Sequence, residues 1–254
     1  MPQPRALAVR AVPSVHNLAE TEHRGARKGV EVSEKNEKRE TGKGGEVALR
    51  TYRDKRHFGR TAEPSGEHAP RDTDGEATGD EPSFVVQIHD ASTMHFDFRL
   101  EVDGVLKSWS VPKGPSTDPQ DKRLAIPTED HPLDYRDYEG VIPEGEYGGG
   151  TVMVWDRGTY RPTSHDKQHR AVPFAQALEK GHVTFELHGE KLRGQYALTR
   201  FHGREEQDAS SGGSAKPTWL LVRTGHRSGG GTPDPRRARS ARSGRTLRQI
   251  AEQG

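Results

Sequence analysis

The sequence contains no cysteine, which excludes a disulfide framework, thiolate metal ligation and cysteine nucleophiles. Apolar residues are also scarce: 29% of its 254 residues are hydrophobic and 6% aromatic, with three Met and three Trp. A chain that packs throughout approaches roughly half apolar, so much of this one is expected to lie outside any core. No apolar run nears the ~18 residues of a membrane span. The N-terminus lacks the basic, apolar, small-residue succession of a secretion signal. These absences point to a soluble, cytoplasmic protein with no membrane partner.

Turn formers and charge are what the chain has in excess. It holds 29 Gly, 17 Pro and 30% charged residues, with a mean hydropathy of −0.99. The formal net charge of +1 hides a polarised distribution. Residues 1–50 carry 10 Lys/Arg against 7 Asp/Glu, residues 83–224 carry 17 against 21, and residues 225–254 carry 7 against 2. Basic ends around a mildly acidic body fit either tails that touch a polyanion or plain solvated termini.

Residues 1–46 show no sustained period and read as a disordered basic N-terminal tail. Residues 47–82 read as an arm, with Tyr52 and Phe58 as anchors among basic residues, followed by a polar linker punctuated by Gly and Pro. The folded body is set at 83–224. Strand-like runs at 84–88, 94–102, 105–111, 124–128, 151–155, 183–187, 194–199 and 219–223 are separated by turn signals such as Asp103-Gly104. One clear helix spans 173–180, with Pro at its start and Gly181 at its stop. Residues 225–254 read as a disordered basic C-terminal tail in which 246–253 can form a helical turn or two. The expected fold class is mainly β: a single compact β-barrel of about eight short strands with one or two short helices, because little apolar mass favours one closed core.

The run Met94–Val102, MHFDFRLEV, carries the chemistry. Side chains alternate faces along a strand, so Phe96, Phe98, Leu100 and Val102 face the core while His95, Asp97, Arg99 and Glu101 line the other side. A tight hairpin after Gln87-Ile88-His89 brings His89 beside His95. Two imidazoles and one carboxylate make a three-ligand site with open positions, suited to Mn²⁺, Fe²⁺ or Zn²⁺ rather than Ca²⁺. The three are expected to gather at the barrel mouth, with Arg99 one step on, able to hold an anion. His131 follows in a loop, flanked by Glu129 and Asp130, two acids able to orient or charge it. Lys113 and Arg123 flank a Pro/Asp loop as phosphate clamps or as ordinary surface charges. The stretch 140–150 reads as a Gly/Pro/Glu turn that shapes one wall, and no Gly-Lys-Ser/Thr follows to make it a phosphate-binding loop.

The stretches QIHDASTMHFDFRLEVDGVLKSWSVPKGP and PTEDHPLDYRDYEGVIPEGEYGGGTV resemble the 3'-phosphoesterase module of bacterial DNA ligase D, in its stand-alone form. The resemblance runs unbroken over 84–160 and more loosely to 223. It implies a compact β-barrel and a manganese-dependent activity on DNA or RNA-capped DNA 3' ends. A phosphodiesterase step removes a terminal ribonucleoside to leave a 3'-phosphate, and a phosphomonoesterase step then gives a 3'-OH. Carried over, His89, His95 and Asp97 hold the metal, and Arg99 and His131 hold the phosphate. Gln87, Lys113, Arg123 and Tyr135 match further positions around the scissile phosphate. Arg56 and Glu63 match the functional Arg and Glu of the family's N-terminal arm. The family has Asp where this chain has His57, which points to a weaker monoesterase step. The implied partners are a DNA ligase and Ku end-joining proteins, the location is the nucleoid, and the expected state is a monomer. The competing readings are a non-catalytic, metal-stabilised nucleic-acid-binding barrel and an iron oxygenase built on the same His/His/Asp set.

Overall fold

In the computed structural model the described residues are 45, 47–67, 81–201, 217–225 and 234–253. The chain divides into two units, Met1–Arg39 and Glu40–Gly254, and all of these residues lie in the second. The expected tail up to residue 44, the linker from 68 to 80 and the Ser/Gly loop around 209–216 lie outside the described residues.

The strands are β1 (Ser83–Asp90), β2 (His95–Val102), β3 (Val105–Val111), β4 (Arg123–Pro127), β5 (Gly140–Ile142), β6 (Gly150–Pro162), β7 (His182–Gly189), β8 (Arg193–Phe201) and β9 (Thr218–Arg223). The order β1-β2-β3-β4-β9-β8-β7-β6 closes on itself because β6 also pairs with β1. The result is an eight-stranded barrel with antiparallel neighbours throughout. Its eight strands are the eight runs expected from the sequence. β5 is a ninth strand that adds to β6, inside the stretch read as a turn.

The inner wall follows the period of two. Phe84, Val86 and Ile88 of β1 and Phe96, Phe98 and Leu100 of β2 share one core with Met153, Trp155, Phe185 and Leu198. Asp103 (φ 50) and Gly104 (φ 80) make the two-residue turn between β2 and β3, the primed type whose twist suits a hairpin. Helix α1 (Arg50–Asp54) belongs to the arm, and α2 (Phe174–Glu179) lays Phe174 against Tyr160, with ring centroids 5.1 Å apart. No helix of the described residues is long and apolar enough to cross a membrane.

Part of the outer wall is covered as well. Tyr52, Val85, Leu106, Tyr135, Tyr138, Ile142, Val152 and Val154 form a second buried cluster, with Phe58 and Leu133 packed against it. β1 is therefore buried on both faces, from Phe84 to His89. An antiparallel strand with one wet face would alternate instead.

The C-terminal segment corrects an expectation. Residues 225–254 read as a disordered tail, yet 234–253 pack on the barrel. Helix α3 (Leu247–Ala251) seats Leu247 and Ile250 in the main core. Thr246 and Gln249 form a reciprocal capping box at its start, which satisfies two otherwise orphaned N–H groups. Upstream, the Ala241 N–H donates to Val154 O, 2.9 Å, while the Val154 N–H donates to Glu139 Oε1, 3.1 Å. These contacts fill the β6 edge between its pairings with β5 and β7. Arg/Gly/Ser composition hid a segment that needs only two apolar side chains and one cap to dock.

Asp156 on β6 holds the β7–β8 turn. It is 0% exposed, and its carboxylate accepts the N–H groups of Glu190, Lys191 and Leu192 at 2.9, 2.9 and 2.7 Å. Asp156→Ala strands three donors at once and is expected to cost about 3 kcal/mol, given roughly 1.5–3 kcal/mol for a charged hydrogen bond. Asp156→Asn, which keeps one acceptor oxygen, loses less. Urea unfolding of the three proteins checks the order, and equal midpoints would refute it.

Candidate active site

β1 and β2 pair with His89 opposite His95, Gln87 opposite Asp97 and Val85 opposite Arg99, and Ser108 of β3 stands opposite Arg99. All of these polar side chains share the outer wall, because the inner positions belong to the aromatic core. This corrects the expected position at the barrel mouth. At that end of the barrel Met94, Phe96, Pro112, Lys113 and Asp234–Arg236 instead line a separate cavity of about 430 Å³.

His89, His95 and Asp97 each offer a ligand atom, all within 4.8 Å of one another. His89 Nδ1 lies 3.7 Å from Asp97 Oδ2, and His95 Nε2 lies 3.6 Å from Asp97 Oδ1. Two ligands each about 2.1 Å from one cation stand about 3.0–3.6 Å apart at angles of 90–120°, so the two histidine–carboxylate distances lie at the edge of that range and the set would draw in slightly around an ion. The remaining nitrogens settle the tautomers. His89 Nε2 is 2.8 Å from Gly148 O, and His95 Nδ1 is 2.8 Å from Thr93 O. Each ring donates its proton to a carbonyl and turns its lone pair inward, as metal-binding histidines do. Gly148 lies at φ +78, a conformation glycine adopts without strain, and this aims its carbonyl at His89. Burial alone would raise the Asp97 carboxyl. The Arg99 guanidinium beside it, joined by His89 and His95 whenever those rings carry a second proton, outweighs burial and holds it well below the usual carboxylate range.

Arg99 is 2% exposed. It donates from Nε to Gln87 Oε1 (2.9 Å), from Nη1 to Ser108 Oγ (2.9 Å) and from Nη2 to Asp97 Oδ2 (2.9 Å). His131 lies between two guanidinium groups, with Nδ1 2.9 Å from Arg99 Nη1 and Nε2 3.3 Å from Arg56 Nη2. Burial, then Arg99 and Arg56, push its pKa well below the ordinary histidine value. Of the two neutral tautomers, one donates from Nδ1 to Glu129 O (2.8 Å) and accepts from Arg56 at Nε2, and the other accepts from Arg99 at Nδ1, so the ring can satisfy one guanidinium at a time. The flanking acids do not charge this ring, contrary to expectation. The Glu129 carboxylate goes to Lys55 (3.1 Å) and Arg56 (3.0 Å), and Asp130 goes to Lys107 (2.6 Å).

The arm reaches the same place from outside. Arg56 Nε donates to Glu63 Oε1 (2.9 Å), which also accepts from the Tyr135 hydroxyl (2.9 Å). Tyr52, 0% exposed, donates to Pro64 O and stands edge-on to His131, with centroids 4.9 Å apart. His57 does not turn inward. Its Nδ1 lies 2.9 Å from Glu146 Oε2, beside Arg60, so it ties the arm to the β5–β6 turn.

The structure thus brings His89, His95, Asp97, Arg99, His131, Arg56 and Glu63 into one connected group. Gln87 and Tyr135 belong to it from underneath. Gln87 is 0% exposed and uses its amide nitrogen on Tyr135 O and Tyr138 O, so it orients Arg99. Lys113 and Arg123 are not in contact with the group. Lys113 is exposed, and Arg123 pairs with Asp121 at 2.7 Å. Ser108 and the Thr93 and Gly148 carbonyls were not singled out from the sequence, and Glu129, read there as a partner of the His131 ring, gives its carboxylate to Lys55 and Arg56 instead.

Fold and side chains define a class: an antiparallel barrel presenting a His/His/carboxylate set beside cationic groups, a donor set suited to divalent cations and phosphate esters. Comparison with known proteins shows what the chain is similar to. Residues 87–200, from β1 into β8, match the family described as the DNA Ligase D 3'-phosphoesterase domain, in line with the resemblance read from the sequence. The chain is 50% identical over 175 residues to the multifunctional non-homologous end joining protein LigD of Pseudomonas aeruginosa, covering 69% of this chain and 18% of that protein. It is 45% identical over 156 residues to the multifunctional non-homologous end joining DNA repair protein LigD of Mycobacterium tuberculosis, covering 61% of this chain and 18% of that one. The chain therefore spans about a fifth of the length of these curated relatives.

A neutral, buried His131 has a consequence for stability. A histidine whose folded pKa is depressed contributes stability that is present above its unfolded pKa near 6.5 and is lost as pH falls below it. For a ring that stays neutral in the folded protein, going from pH 7.5 to 5.5 removes stability on the order of 1 kcal/mol. Denaturant unfolding at both pH values is expected to show the wild type losing about that much more than His131→Gln. Parallel losses would contradict the neutral assignment.

Proposed function

We propose that the chain is a metal-dependent 3'-phosphoesterase of DNA repair. It removes a 3'-terminal ribonucleoside to leave a 3'-phosphate, and then hydrolyses that phosphate to a 3'-OH. The observation that carries the proposal is the inward convergence of His89 Nδ1, His95 Nε2 and Asp97 beside the buried Arg99 guanidinium. The family match and the end-joining relatives support the same reaction class.

His89, His95 and Asp97 would hold the cation, with Mn²⁺ the proposed ion. Such an ion supplies Lewis-acid polarisation of a phosphate oxygen and a lowered pKa for a bound water. Arg99 and Arg56, on either side of His131, would supply positive charge to the phosphate and turn towards it only the N–H groups left over from Gln87, Ser108 and Asp97 and from Glu63 and Glu129. In the first step water adds to phosphorus and the bond to O5' of the terminal ribonucleoside breaks. His131 takes a proton from solvent at Nε2 once an anionic phosphate between the guanidinium groups offsets their charge, and passes it to the leaving O5', while the attacking water gives its own proton up to solvent. Gln87 and Ser108 keep the Arg99 plane fixed, and Glu63 and Glu129 do the same for Arg56. In the second step the same groups serve attack on the terminal 3'-phosphate, with the primer 3'-oxygen leaving. His57, turned to Glu146 where the family has Asp, makes this step the slower one. Lys113 and Arg123 would contact the strand away from the scissile bond. A DNA ligase and Ku-type proteins are the proposed partners, at the nucleoid.

The test is a 5'-labelled primer ending in one ribonucleotide, incubated with and without Mn²⁺. Wild type is expected to give the 3'-phosphate product and then the 3'-OH product only with Mn²⁺, and His95→Ala neither. Arg99→Ala is expected to lower the rate about 10²-fold or more. Salt-sensitive binding of the primer with no shortened product would favour the non-catalytic nucleic-acid-binding module instead.

A further inference from the structure

Tyr147 sits at the lip of this site with its ring in the open. Among the described residues it is the one Phe, Tyr or Trp side chain that is exposed, at 46%. An aromatic ring left in water normally packs down onto something, and this one is held upright by its surroundings. Lys55 Nζ donates to its hydroxyl at 3.0 Å and sits over the ring, 4.6 Å from the centroid, so a base would settle on the ring surface that Lys55 and Arg56 leave uncovered. The hydroxyl is 3.4 Å from Glu129 Oε2, and the Arg56 guanidinium lies 5.3 Å from the ring centroid. On its other side the next residue is Gly148, whose carbonyl holds His89. The ring is therefore braced between the arm cations that flank His131 and the backbone that orients a ligand histidine.

We propose that Tyr147 is a stacking platform for the base of the 3'-terminal nucleoside. This rests on the function proposed above. Near His131 the arm and the tyrosine cluster bury the row of site residues, down to 3% exposure at His131 itself, while His95 at the far end is only partly covered. On this reading the strand reaches the site from its open His95 side and ends against the arm, and Tyr147, between Lys55 of the arm and the Gly148 carbonyl at His89, stands beside that end. Stacking uses the π face that every base shares and tolerates any sequence, which suits an enzyme that must accept any end. A ring already fixed by Lys55 loses little freedom when a base settles on it.

The test uses primers whose 3'-terminal ribose either bears a base or is abasic, with the full-length chain and Mn²⁺. Binding of each primer and its KM and kcat for cleavage are measured on wild type, Tyr147→Phe and Tyr147→Ala. The Phe variant keeps the ring and drops the Lys55 hydrogen bond. Tyr147→Ala is expected to weaken binding and raise KM about tenfold on the base-bearing primer, with kcat unchanged and no effect on the abasic one. Tyr147→Phe is expected to stay within about twofold of wild type, since the π face does the binding. An equal loss on both primers, or a Phe variant as impaired as the Ala variant, overturns the platform and leaves Tyr147 as a prop for Lys55. Base-dependent binding without cleavage upholds the platform while refuting the phosphoesterase reading. Cleavage with no base dependence does the reverse.

Discussion

Arg99 carries a permanent charge into a place almost without water, and such burial is tolerated only when the charge is paired and its donors are used. Asp97 supplies the opposite charge from two residues along the same strand. Gln87 and Ser108, from the strands on either side, take the other two nitrogens. The same Asp97 carboxylate faces His89 and His95 with both of its oxygens. One carboxylate thus links the guanidinium half of the site to the imidazole half. Loss of Asp97 would leave a buried guanidinium unpaired and two imidazoles without their common partner.

The second layer on the outer wall follows from this pair. An exposed Asp97–Arg99 pair would be loosely held and screened by water. The arm and the 129–147 stretch exclude that water, and polar contacts hold them in place. Gln87 bonds the backbone at Tyr135 and Tyr138, Tyr135 bonds Glu63, and Glu63 holds Arg56. The Gln87 amide is shared between Arg99 and the covering layer, so site and cover are ordered together. Two guanidinium groups around a neutral His131 are costly at rest and become favourable when an anion enters, which is the electrostatic preorganisation that phosphoryl chemistry uses.

Much of this was legible in the sequence because a strand has a period of two. The alternation in Met94–Val102 separates the core face from the His95/Asp97/Arg99 face, and a short hairpin places His89 opposite His95. What the period cannot tell is whether the polar face stays wet. That depends on Tyr52, Tyr135 and Tyr138, residues far in sequence from β2 that reach it only through tertiary packing. The outer carbonyls of Thr93 and Gly148 leave no side-chain signature. The docked segment 234–253 was hidden for a related reason: Leu247 and Ile250 are two apolar residues in an arginine-rich stretch, too few for a composition argument and enough for a barrel with a gap to fill.

Anomalous diffraction from crystals soaked in Mn²⁺ tests the account at its centre. A single strong peak about 2.1–2.2 Å from His89 Nδ1, His95 Nε2 and an Asp97 oxygen, with the Gly148 and Thr93 carbonyl contacts intact, is the predicted result. A peak elsewhere with none between these three side chains, or one bound through His89 Nε2 after the ring has left Gly148, would contradict it.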